Sequence, residues 1–69
     1  MRVAAIVREL EVDGWRFQAV HGSEWKFKHP TKPGRVTVPG HPEKEVSAGK
    51  LLSIRKQAGL ADADQGSGP

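Results

Sequence analysis

The sequence contains no cysteine and no tyrosine. Without cysteine there is no disulfide framework and no thiolate metal site to prop up the fold, which fits a reducing compartment. Aromatic residues are scarce: Trp15, Phe17, Trp25 and Phe27 are the whole set. With 69 residues, of which 36% are hydrophobic, the chain has room for one domain and a core of a few side chains. No apolar run approaches the roughly 20 residues that span a bilayer, so no membrane role is expected. The start of the chain carries one positive charge and a short apolar run, without an h-region or cleavage site. It reads as mature cytoplasmic protein rather than a signal peptide. The histidines, His21, His29 and His41, show no i, i+4 pairing, which argues against a metal site.

What the chain does have is positive charge, and its placement matters more than the net +3. Arg16, Lys26, Lys28, Lys32 and Arg35 fall in one stretch whose single acid is Glu24. The other acids lie before it, at Glu9, Glu11 and Asp13, or after it, at Glu43, Glu45, Asp62 and Asp64. A concentrated basic stretch is the electrostatic footprint of a polyanion partner. A solvated, solubilising surface has the same composition.

Periodicity supplies the architecture. Val3, Ile6, Val7 and Leu10 recur at helical spacing, with Arg8, Glu9 and Glu11 pointing away and Gly14 as the stop. From Trp15 to Val20 the period becomes two, placing Trp15, Phe17 and Ala19 on one face and Arg16 and Gln18 on the other. After turn residues His21, Gly22 and Ser23, a second alternation sets Trp25 and Phe27 inward and Glu24, Lys26 and Lys28 outward. A third strand has Val36 and Val38 inward and ends at Pro39 and Gly40. A last helix spans roughly residues 47–58, with Ser47 as N-cap and Leu51, Ile54 and Ala58 inward. Lys50, Arg55 and Lys56 face out, and Gly59 suits a left-handed cap with Leu60 folding back toward Ile54. Residues 61–69 have no periodicity and read as a disordered tail.

The expected fold is therefore α+β, in the order α-β-β-β-α: a three-stranded antiparallel meander with both helices on one face. Residues 1–60 form the single domain. Arg16, Glu24, Lys26, Lys28 and Arg35 all land on the open face.

The ordered series Asp13-Gly14-Trp15, Gly22-Ser23, Phe27-Lys28-His29-Pro30, Gly34-Arg35-Val36-Thr37-Val38-Pro39, His41-Pro42 and Lys56-Gln57-Ala58-Gly59-Leu60 resembles the HicA family. These are small bacterial and archaeal mRNA interferase toxins of toxin–antitoxin systems. The resemblance covers nearly all of residues 3–60. It implies a fold like the double-stranded-RNA-binding domain and cleavage of mRNA without the ribosome. It also implies neutralisation by a HicB antitoxin that covers the active site, with no cofactor.

One position departs from the family pattern. Where the family reads Gly-Ser-His, with that histidine catalytic, this chain has Gly22-Ser23-Glu24. Cleavage through the RNA 2′-hydroxyl requires a base for its proton, an acid for the leaving 5′-oxygen, and cations near the phosphate. Histidine suits either proton-transfer role because its ordinary pKa is about 6.5; glutamate, at about 4.3, is a weaker base. Glu24 also brings negative charge to where the phosphate should sit. His29 and His41 match the family's own His-Pro positions. His21 lies on the turn and reaches the same face only with altered backbone geometry. The candidate residues are thus Glu24 for catalysis and Arg16, Lys26, Lys28 and Arg35 for RNA. Three readings stay open: a ribonuclease toxin attenuated by Glu24, a non-catalytic relative that binds RNA or antitoxin, and a plain protein-interaction domain.

Overall fold

The computed structural model describes residues 1–60, so the expectation for the tail lies outside the described residues. The element order is α1 (Val3–Val12), β1 (Arg16–His21), β2 (Glu24–Lys28), β3 (Arg35–Pro39) and α2 (Ala48–Ala58), matching the expected α-β-β-β-α. The strands form one antiparallel sheet in the order β1-β2-β3.

Helix α1 buries Val3, Ile6 and Leu10, the stripe expected from their spacing. It has no side-chain N-cap. Two of its first N–H groups donate instead to carbonyls of the segment before α2: Val3 to Lys44 at 2.9 Å and Ala4 to Pro42 at 3.0 Å. These bonds satisfy donors that every helix start leaves open. The N-terminal ammonium reaches Glu45 at 2.5 Å, and that contact, helped by Arg2, holds the Glu45 carboxyl below the usual carboxylate range. At the other end Gly14 takes φ +106°, a conformation that side chains resist.

Helix α2 is capped at both ends by local chemistry. The Ser47 hydroxyl accepts from the Lys50 N–H at 3.3 Å. Gly59 adopts φ +74°, with its N–H to the Lys56 carbonyl and that of Leu60 to Arg55, the bond pair of a Schellman cap. Ile54 and Ala58 are buried and Leu51 is half-buried.

Both helices share one core with the sheet: Val3, Ile6, Leu10, Trp15, Phe27, Val36, Val38, Val46, Ile54 and Ala58. The helices therefore cover one sheet face and leave the other to solvent. Phe17 lies on the covered side beside Phe27, ring centroids 6.0 Å apart, yet stays 55% exposed at the free β1 edge.

The sheet departs from simple alternation at one place. Phe17 pairs with Phe27 and Ala19 with Lys26, leaving Gln18 as the extra residue of a β-bulge. Two demands conflict here. The two-residue turn Gly22-Ser23 sets His21 opposite Glu24 and Val20 opposite Trp25. Continued without interruption, that register would put Phe17 opposite Lys28, on the charged side. The bulge absorbs one residue and restores the aromatic pair. Its consequence corrects the sequence reading: Ala19 faces the open side with Lys26, and Val20 faces the helix side with Trp25.

Two cations expected at the surface act inside the fold. Lys32 Nζ lies 2.5 Å from the Asp13 carboxylate and 3.1 Å from the Ala58 carbonyl, joining the ends of both helices. Arg55 grips Glu9 with two bonds, at 2.9 and 3.0 Å, across α1 and α2. His29 completes the clasp. Its Nδ1 accepts from the Thr31 and Lys32 N–H groups, both at 3.1 Å, so its Nε2 carries the proton donated to the Asp13 carbonyl at 2.8 Å. The same ring meets Trp15 edge-on at 5.1 Å. The buried Trp15 indole N–H has no hydrogen-bond acceptor among the described residues.

Candidate nucleic-acid interface

The open sheet face is built by residues that alternate with the core. Phe27 and Val36 point to the helices, so their neighbours Lys28 and Arg35 point away. Arg16 pairs with Lys28, and Lys28 pairs with Arg35. Three cations thus stand side by side in one row across all three strands. Adjacent side chains in such a row are about 5 Å apart at Cβ, and like charges at that spacing destabilise a sheet. The next row holds Ala19, Lys26 and Thr37, and the last holds His21, Glu24 and Pro39.

Among the described residues, Arg35, Lys26 and Arg16 meet neutral groups and not carboxylates. Arg35 Nε donates to the Gln18 Oε1 at 2.8 Å, reaching across β2 to the bulge. Lys26 Nζ lies 3.3 Å from the Thr37 hydroxyl, and an Arg16 guanidinium nitrogen lies 3.5 Å from the Trp15 carbonyl. Among the described residues, the ion pairs involve Arg2, Lys32, Arg55 and the N-terminal ammonium. Arg16, Lys26, Lys28 and Arg35 take part in none. The sequence stretch of five cations therefore divides: Lys32 is spent on the fold, and the other four remain available.

A groove crosses this face, lined by Gln18, Ala19, His21, Lys26, Arg35, Thr37 and Gln57. Gln57 comes from α2 around the β3 edge, where its Oε1 accepts the Thr37 N–H at 3.3 Å. Of the residues singled out from sequence, Lys26 and Arg35 line this groove, while Arg16 and Lys28 extend its basic margin. Glu24 is exposed at the turn end of the sheet and lines a neighbouring depression with Ser23, Pro39, His41, Lys44 and Lys50. His21 stands between the two, in the groove and directly opposite Glu24. Sequence reasoning missed Gln18, Gln57 and the placement of His21. The available signal was Phe17 and Val20 three residues apart in one strand, an odd spacing that strict alternation cannot bury on one side.

A face of this kind can neutralise phosphates with four cations and offer amide groups from Gln18 and Gln57. Among the described residues no group of three or more metal-ligating side chains comes together, and no helix is long and apolar enough to cross a membrane. In comparisons with known proteins, the family model of the HicA toxin of bacterial toxin–antitoxin systems matches residues 3–60. No curated protein matches the chain.

Proposed function

The chain belongs to the HicA toxin family, and from that premise we propose that it is an RNA-cleaving toxin whose open sheet face binds mRNA, with activity reduced by Glu24. The observation that carries this reading is the row Arg16, Lys28 and Arg35, with Lys26 behind it, none paired to a carboxylate among the described residues. A sheet gains nothing from three adjacent like charges unless an anion meets them, and a polyphosphate backbone is an extended anion of the right form. Lys26 and Arg35 flank a groove in which a phosphate undergoing attack would find two donors for its developing charge.

Glu24 stands where the family carries its catalytic histidine, and in this chain it is proposed as a poor replacement. A carboxylate there repels the phosphate that the neighbouring cations attract. That same position favours a second reading, a module that binds RNA without cutting it. In either case the partner is a HicB-like antitoxin that covers the basic face with acidic or hydrogen-bond-accepting groups. No small-molecule cofactor enters the proposed chemistry, and a cytoplasmic setting follows from an mRNA substrate.

The test is a labelled single-stranded RNA incubated with the purified chain at two ionic strengths. Cleavage, with binding that weakens as salt rises, supports the toxin reading. Salt-sensitive binding without cleavage selects the binding module. Absence of binding at both ionic strengths removes RNA as the ligand of this face.

A further inference from the structure

The bulge at Gln18 gives the open face an imidazole that strict alternation would have denied it. In an unbroken β1 with Phe17 held on the helix side, the residues at odd positions, His21 included, would share that side. The extra residue reverses the sense of the strand beyond Gln18. His21 is thereby set on the open side, opposite Glu24, in the groove that Lys26 and Arg35 line.

The three histidines differ in what their rings already do. Both ring nitrogens of His29 are occupied by the Asp13 carbonyl and the Thr31 and Lys32 N–H groups. His41 lies past the end of β3 and borders the depression that contains Glu24, away from Lys26 and Arg35. His21 is exposed, makes no side-chain hydrogen bond among the described residues, and shares a groove with two cations.

We propose that His21 is the catalytic base of this face, accepting the proton of the RNA 2′-hydroxyl; the proposal rests on the ribonuclease reading above. In the step, the 2′-hydroxyl proton passes to the unprotonated ring nitrogen of His21. The freed 2′-oxygen forms a bond to the adjacent phosphorus, and the bond from phosphorus to the 5′-oxygen breaks. The products are a 2′,3′-cyclic phosphate and a 5′-hydroxyl, whose proton comes from solvent. The imidazolium then returns its proton to solvent, so protons and electrons balance without a co-reactant. Lys26 and Arg35 stabilise the negative charge that grows on the phosphoryl oxygens.

The experiment compares the full chain with its His21→Ala and His41→Ala variants. Cleavage is measured on a single-stranded RNA, and binding on the same RNA carrying 2′-O-methylribose throughout, which cannot react. His21→Ala lowers cleavage by about 100- to 10,000-fold, the usual worth of a general base, and leaves binding unchanged. Added imidazole restores part of the lost rate, which a merely structural role would not allow. His41→Ala cleaves like the parent. If His21→Ala cleaves as fast as the parent, the proposal falls and the ribonuclease reading stands. If His21→Ala loses binding in step with cleavage, His21 is a binding group and the proposal also falls. If the parent itself cleaves no RNA, both fall together. Circular dichroism accompanies each variant, and His21→Asn replaces His21→Ala should the alanine variant unfold.

Discussion

Lys28 sits in the middle of the cationic row, with Arg16 on one side and Arg35 on the other. Replacing it with glutamine, one atom shorter, keeps a long polar side chain and removes the charge, so one substitution tests both stability and binding. Long side chains splay apart, and with charged ends about 8 Å from each neighbour, each repulsion is worth about 0.5 kcal/mol in water. Two neighbours give about 1 kcal/mol before screening. A Debye length of about 8 Å at physiological salt cuts that to about 0.4 kcal/mol, and one of about 30 Å at 0.01 M leaves about 0.8 kcal/mol. For a domain of this size 1 kcal/mol corresponds to roughly 4–8 °C in Tm. Lys28→Gln should therefore raise Tm by about 3–6 °C at low salt and by about half that at physiological salt.

Binding should move the other way. Loss of one phosphate contact lowers affinity for single-stranded RNA and reduces the slope of log K against log salt by about 0.7. The assay pairs thermal unfolding by circular dichroism with fluorescence anisotropy of a labelled RNA, each at two salt concentrations. The informative outcome is the opposition: a protein that is more stable and binds RNA less well. A variant that is less stable would show that the row is not repulsive. A variant with unchanged affinity and unchanged salt slope would show that Lys28 meets no phosphate, and the argument from the unpaired row would fail with it.

Glu24→His should raise the rate of RNA cleavage, by up to the roughly 100- to 10,000-fold that general acid–base help supplies, because it restores a neutral-range titrating group and removes a charge that repels phosphate. In that background His21→Ala should cost less than it does in the parent; no gain from Glu24→His in a folded protein that binds RNA would refute the idea of attenuation. Gly14→Ala should destabilise the fold by about 2–3 kcal/mol, combining a side chain at positive φ with a lost hydrogen bond. The added Cβ would sit 2.8 Å from His29 Nε2, the atom bonded to the Asp13 carbonyl. Gly34→Ala, at φ +78° with open space around it, should cost only about 1 kcal/mol, and equal Tm losses in the two variants would remove the contact from the explanation.

What could be read from sequence was whatever depends on near neighbours along the chain. The spacing of Val3, Ile6 and Leu10 fixes a helix because 3.6 residues make a turn, and the structure buries those three. Ser47 and Gly59 announce the ends of α2 through bonds to residues three to five positions away. The faces of β2 and β3 follow from alternation, which gave Lys26, Lys28 and Arg35 correctly to the open side. The failures are tertiary. Nothing near Lys32 in the chain points to Asp13 or to the Ala58 carbonyl, so from sequence it is one more cation of the basic stretch, with no structural partner. Arg55 and Glu9 both lie on the polar sides of their helices, and only the packing of α1 against α2 joins them. The inward assignment of Ala19 failed because two distant constraints, the turn and the Phe17–Phe27 pair, compete for one strand.

That competition also links the core to the chemistry. The edge-on packing of Phe17 against Phe27 explains the bulge, since an aromatic residue opposite Lys28 would be left in water beside a charge. Once the extra residue is present, His21 reaches the open face with no further adjustment. It lies there directly opposite Glu24. Cross-strand partners stand about 5 Å apart at Cβ, within the swing of one imidazole side chain. On the proposed reading, an imidazole on either strand can thus address the same phosphate, held by the same Lys26 and Arg35. Glutamate at position 24 is then compatible with a working face: the proton-accepting group can sit on β1 while β2 and β3 supply the charge. A ring displaced by one strand must approach the 2′-oxygen from a different side of the ribose. Attenuation is accordingly expected through geometry as well as through the charge of Glu24, which is why Glu24→His and His21→Ala should not behave additively.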